Sequence, residues 1–347
     1  MGILQHSMFR KVLRSLVILA VTLALVWLAF SNIEFDTLLD DLKQANYFWV
    51  IISVIIGYLA FVSRGMRWVL VVDSMGYKAS AWNAIHAVTL GYFANMFVPR
   101  AGEIARCTSL SKTDHIPVDK LLGTVIAERV VDMIFLLTFI LAAIILQFDN
   151  FMTFLTDVEA ARQTEDGSTS MLSRFIYILG AGFVAVILLL FFFRKRIIAS
   201  RLYSKIKAFV VGMKVGVTAI FTMKRKGTFI LHSLFIWTVY YLIIYVNFFS
   251  LSQTTGLGFA DGVFMTVAGG LGMLVPAQGG IGSYHLAVTY AMLVLGKAYA
   301  MPEILSYQTG LTYATLIHTS QALMILISGA VALILLSLAG KKRKQSA

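Results

Sequence analysis

Glu128, Arg129 and Asp132 sit inside the apolar run LLGTVIAERVVDMIFLL. Glu128 is about 10 Å along a helix that begins at Leu121, at ~1.5 Å per residue. Glu128 and Asp132, four residues apart, share one helix face. Ionised groups at such depth are costly and face a bundle interior or a wet cavity. They can form a polar lining, a proton-coupled carboxylate, or a structural ion network. Arg129 can pair with either acid or with another helix.

A second cluster is Pro99-Arg100-Ala101-Gly102-Glu103-Ile104-Ala105-Arg106. Proline breaks the preceding helix. A new helix near Gly102 would present free N–H groups and a positive dipole end. Arg100 and Arg106 carry forked donors suited to phosphate, and Glu103 can orient either by the i,i+3 relation. This pattern suits an anionic lipid headgroup or its phosphate; an ordinary charged hairpin tip is the alternative.

A third cluster is Pro276-Ala277-Gln278-Gly279-Gly280-Ile281-Gly282-Ser283-Tyr284-His285. Its glycines permit close backbone approach, and exposed N–H groups there can cradle an anion. His285 is a functional group or a polar packing residue. Val275 and His285 stand where a dinucleotide loop needs its third glycine, which excludes that motif. HExxH, GxSxG, P-loop, CxxC and kinase signatures are all missing from the sequence. No catalytic residue, metal or cofactor is expected, and Cys107 is the single cysteine.

The elements that must hold these clusters are membrane helices. Apolar residues make up 59% of the 347-residue chain and charged residues 13%, with a mean hydropathy of +0.83. The charged fraction is about half the ordinary value. The net charge of +12 reports membrane orientation rather than nucleic-acid binding, because Lys and Arg collect on the cytoplasmic side.

Six stretches can span a bilayer: about 12–30, 47–63, 121–146, 175–193, 228–250 and 313–338. Residues 82–98 with 101–116, and 259–275 with 284–296, fit two re-entrant helical hairpins. Residues 1–14 carry +3, 31–46 carry −3, 64–120 carry +3, 147–174 carry −3, 194–227 carry +10, and the tail Lys341-Lys342-Arg343-Lys344 adds +4. Six spans and two hairpins put every positive segment, including both termini, on the cytoplasmic side. Full crossings in place of the hairpins preserve the signs, giving eight to ten spans. Leu202, Ile206, Phe209, Val210, Met213 and Val217 give the basic segment 194–227 an amphipathic pattern suited to an anionic lipid surface.

The two hairpins share a motif. Thr89–Ile104 reads TLGYFANMFVPRAGEI and Thr266–Ile281 reads TVAGGLGMLVPAQGGI, at a constant offset of 177 residues. With opposite orientation, residues 10–146 and 175–340 form an inverted-topology repeat within a single membrane domain, 1–347, a recurring transporter design.

Asn95, Pro99, Gly102, Glu103 and Arg106, then Glu128, Arg129 and Asp132, then Pro276, Gly279, Gly280 and Gly282 resemble the lysylphosphatidylglycerol synthase transmembrane-region family, over roughly residues 10–340. Relatives often carry Glu where this chain has His285. The resemblance implies an integral membrane protein that handles lipid headgroups. The soluble aminoacyltransferase domain of two-domain relatives has no counterpart in this sequence, so lysyl transfer is not expected.

The expected function is a flippase-like lipid transporter of the cytoplasmic (inner) membrane. Asn95, Arg100, Glu103, Arg106, Glu128, Arg129, Asp132, Gln278, Gly279, Gly280, Gly282 and His285 would contact its substrate, a membrane phospholipid or polyprenyl-linked lipid. One alternative is an accessory protein presenting such a lipid to a separate lipid-modifying enzyme. Another is a membrane-embedded transferase with Glu128 or Asp132 as base.

Overall fold

A computed structural model describes residues 19–31, 33–98, 101–160, 211, 214, 218–275 and 277–345. The expected span at 175–193, most of the basic segment 194–227, residues 12–18 of the first span, and Pro99, Arg100 and Pro276 lie outside the described residues. The described chain is helical throughout, with short 3-10 turns.

In chain order the helices are α1 (Leu19–Phe30), α2 (Phe35–Gln44), α3 (Tyr47–Ser74), α4 (Ala81–Phe97), α5 (Gly102–Asp114), α6 (Val118–Leu146), α7 (Phe148–Ala160), α8 (Lys226–Asn247), α9 (Phe259–Leu274), α10 (Ser283–Ala298) and α11 (Tyr307–Gln345). Among the described residues, α3, α6, α8 with its 3-10 extension to Ser250, and α11 to Ala339 are long and apolar enough to cross a membrane. The pair α1–α2, bent by 83°, makes a fifth candidate if counted as one span.

Local chemistry sets the ends. The Asn46 side chain accepts from Phe48 N and starts α3. Val98, before Pro99, is extended at φ −133°, ψ 112° and ends α4. Val275, before Pro276, is extended at φ −63°, ψ 133° and ends α9. Both follow from the clash of a proline ring with a helical residue before it.

The expected span 47–63 needs correction. Hydropathy alone ends the span before Arg64, whose charge reads as a loop residue. The helix continues to Ser74, with Arg64 and Arg67 buried inside the bundle. Two of the basic residues counted in the 64–120 loop therefore belong to the protein interior.

α3 packs along α8, α4 against α5 and α11, and α9 against α10, which also packs on α11. Tertiary hydrogen bonds sort the helix ends into two groups. At one end, Asn46 N donates to the Ser250 carbonyl at 2.7 Å, and Gln147 and Tyr299 donate to Asp261. At the opposite end of α3, Ser74 donates to the Ala219 carbonyl at 3.1 Å. Nearby in the chain, Ser80 N donates to Asp114 Oδ1 at 2.9 Å. With 28 residues, α3 separates these ends by about 40 Å at ~1.5 Å per residue. The pair α4–α5 thus has its free ends at one end of the molecule, and α9–α10 at the other.

Candidate functional site

Arg64 and Arg67, three apart on α3, face Glu128 and Asp132, four apart on α6. Arg64 Nη1 and Arg67 Nη1 each donate to Asp132 at 2.9 Å, one to each carboxylate oxygen. Arg67 Nε lies 3.5 Å from Glu128 Oε1. Arg106 on α5 donates from Nη2 to Glu128 Oε2 at 2.8 Å. The expectation that Glu128 and Asp132 share one inward face holds, and all five groups are buried.

Other helices complete the shell. Ser233 accepts from Arg67 Nη1 at 2.9 Å, and Tyr240 accepts from Arg64 Nε at 2.9 Å, both on α8. Tyr92 on α4 reaches the Tyr240 hydroxyl at 3.4 Å. The Arg106 guanidinium sits 4.8 Å from the centre of the Trp68 ring, whose indole N–H donates to Thr124 at 2.7 Å. Such a cation–π contact stabilises a desolvated guanidinium.

The charges do not balance. Among the described residues, three guanidinium groups meet two carboxylates in this cluster, one positive charge in excess. Arg67 Nη2 and Arg106 Nε are buried with no hydrogen-bond partner among the described residues. Buried donors are normally satisfied, so each orphan needs a physical reason. Arg67 and Arg64 were missed in the sequence. The detectable signal was the spacing itself: arginines at i,i+3 in a run that stays apolar through Val72, matching acids at i,i+4 in another.

Glu103 does not orient Arg106, which turns to Glu128 instead. Glu103 Oε1 accepts from Arg129 Nη2 at 2.8 Å. This pair is partly exposed, 52% for the Arg129 side chain and 27% for Glu103. It borders an open groove of about 420 Å³ whose wall is apolar, including Leu122, Ile126, Val130 and Met133.

The start of α5 is only partly free. Asn95 Oδ1 accepts from Gly102 N at 2.7 Å, tying the break to the end of α4. A Cβ on Gly102 would collide with the Gly91 carbonyl oxygen and the Asn95 amide, so glycine is required for this close approach.

At the second break, the backbone N–H groups of Gln278, Gly280 and Gly282 already have acceptors. Gln278 N donates to Thr22 Oγ1 at 3.0 Å, and Gly280 N donates to the Ala277 carbonyl at 3.2 Å. Gly282 N donates to His285 Nδ1 at 3.3 Å. The Gln278 amide bridges the two breaks, donating from Nε2 to the carbonyls of Phe97 at 2.8 Å and Met96 at 3.3 Å. His318 Nε2 lies 2.9 Å from the Gly279 carbonyl. Among the described residues, no group of three or more His, Cys, Asp and Glu side chains could hold a metal ion.

The family described as "Lysylphosphatidylglycerol synthase TM region" matches residues 13–329. A UPF0104 membrane protein from Methanocaldococcus jannaschii is 30% identical over 137 residues, 39% of this chain and 41% of the relative. That match spans about two fifths of the relative's length. No solved structure matches the chain. The chain belongs to the lysylphosphatidylglycerol synthase TM-region family and is an integral membrane protein.

Proposed function

We propose that this member of the family binds a phosphate-bearing or anionic lipid headgroup and moves it across the cytoplasmic membrane, with no catalytic step of its own. One observation carries the proposal: among the described residues, the cluster holds one more buried guanidinium than carboxylate, and Arg67 Nη2 and Arg106 Nε have no acceptor. An uncompensated charge in a membrane interior is expensive. A phosphate offers the acceptor oxygens and the negative charge that these groups lack.

The surroundings suit a lipid. Arg106 and Glu128 are near neighbours in the chain of Glu103 and Arg129, which mark an apolar-walled groove open at the surface. Acyl chains can stay in the hydrocarbon while the headgroup reaches the arginines. Arg100, next to the first break in the sequence, joins this site in the proposal, as does Asn95 through the backbone it fixes.

We take the full arrangement to be six spans and two re-entrant hairpins in an inverted repeat, with both termini cytoplasmic. The opposed free ends of α4–α5 and α9–α10 support it, as does their shared break sequence. The Gln278 bridge then closes the path between the repeats, and breaking it would let access alternate. In this proposal the glycines of the second break, Gly279, Gly280 and Gly282, are the outer counterpart of the first.

Reconstitution tests the function. Liposomes containing the full chain are loaded with fluorescent phosphatidylglycerol, phosphatidylethanolamine or a phosphorylated polyprenol, and movement between leaflets is followed by external quenching. At least one lipid should move faster than in protein-free liposomes. Arg67→Lys, which keeps the charge and loses the fork, should slow it about tenfold, the loss of roughly 1.4 kcal/mol of charge-assisted hydrogen bonding. Folded protein that moves none of the three overturns the proposal, and its stable co-purification with a lipid-modifying enzyme would favour an accessory role.

A further inference from the structure

Headgroup binding at the arginine cluster gives no work to the imidazole at the start of α10. His285 is only 4% exposed. Its Nδ1 accepts from Gly282 N at 3.3 Å, so that nitrogen is bare and the ring is held neutral. From α11, the His318 ring faces it at 4.9 Å; from α1, the Phe30 ring lies at 5.6 Å; on its own helix, Tyr284 lies at 6.2 Å. Two of these neighbours, His318 and Tyr284, are themselves titratable.

A proton added at Nδ1 turns an acceptor into a donor. It would point at the Gly282 N–H, another donor, and the bond between them would be lost. Gly282 is held at φ 84°, with α1 pressed so close that a Cβ would sit 2.6 Å from Leu25 Cβ. Four residues back, Gln278 makes the bridge to the Phe97 and Met96 carbonyls. Gly282 follows directly on the short turn that begins at Gln278, so losing its bond removes one of the contacts that anchor this turn. The new imidazolium would also find no carboxylate bonded to it among the described residues of this closed arrangement, which is costly for a buried ion. The closed elbow and the protonated ring therefore exclude one another.

We infer that His285 is the proton-binding site that couples opening of the second elbow, and release of its bridge to the first, to a proton gradient. By linkage, a proton that binds only the open elbow shifts the population toward it. The inference deepens the transport proposal and names its coupling ion, but its test does not depend on lipid movement.

The full chain, with Cys107→Ala and spin labels at Phe97→Cys and Leu274→Cys, is placed in nanodiscs of phosphatidylethanolamine and phosphatidylglycerol. Both label positions are exposed. Between pH 8 and pH 5 a longer inter-label distance should grow in, by at most about tenfold per pH unit for one proton. His285→Asn supplies an acceptor for Gly282 without titrating, and should keep the pH 8 distance at both values. His285→Gln serves if the Asn variant differs from the parent at pH 8. His318→Asn should retain the shift. A distance independent of pH, a shift that survives in the non-titrating His285 variant, or a shift lost only in His318→Asn each overturns the assignment. A pH shift in protein that moves no lipid leaves the proton site standing and removes the transport function.

Discussion

Asp132 and Glu103 are both acids bonded to arginines, yet they should respond oppositely to substitution. Asp132 is buried and receives both Arg64 and Arg67. Asp132→Asn removes the carboxylate that two desolvated guanidinium groups share and should cost about 3–5 kcal/mol, read from the denaturation midpoint in detergent. Glu103 holds a half-exposed Arg129 at the groove. Glu103→Gln should cost less than about 1 kcal/mol in stability while changing lipid movement. Were Asp132→Asn to melt with the parent protein, the cluster would not be the bundle's internal staple. Were Glu103→Gln to move lipid like the parent, the groove would lie off the lipid path.

At the scale of elements, the two breaks matter more than the helices they separate. Gly102 lets α5 start directly against α4, and Asn95 ties the two together. Gly102→Val should force them apart at a cost of about 1–3 kcal/mol, and Asn95→Ala should cost about 1 kcal/mol through the lost hydrogen bond. Both read out in the same melt. If Gly102→Val melts like Asn95→Ala, the close approach contributes nothing beyond the single bond. The helix breaks were legible in the sequence because proline acts locally: Val98 and Val275 turn extended for a reason contained in two adjacent residues. Arg64 and Arg67 were not legible as site residues, because what keeps them inside a helix is Asp132, more than sixty positions away. A hydropathy count sees two charges and stops; the pairing that neutralises them exists only after α3 meets α6. The Gln278 bridge was hidden for the same reason. Its acceptors are main-chain carbonyls at 96 and 97, which carry no side-chain signature.

For the molecule as a whole, the question is whether the two hairpins face opposite sides of the membrane. Asn46, Ser250 and the Asp261 cluster share one end of the bundle, and the Ser74–Ala219 and Ser80–Asp114 contacts belong to the other. Charge patterning agrees in part: the acidic segment 31–46 and the beginning of the acidic segment 147–174 lie at the Asn46 end, and Ala219 at the other end belongs to the basic segment 194–227. Burial of Arg64 and Arg67 removes two charges from the orienting loop, so the ten basic residues of 194–227 carry more of the orientation signal. These facts give an expected labelling pattern. In a Cys107→Ala background, Lys112→Cys at the end of α5 and Thr255→Cys before α9 are both exposed. A maleimide that does not cross membranes, added to right-side-out vesicles, should label Thr255→Cys at once and Lys112→Cys only after permeabilisation. Labelling of both before permeabilisation would put the two hairpins on one face and remove the inverted repeat. Labelling of Lys112→Cys alone would keep the repeat and reverse its orientation, leaving the basic segment to be anchored by the opposite leaflet.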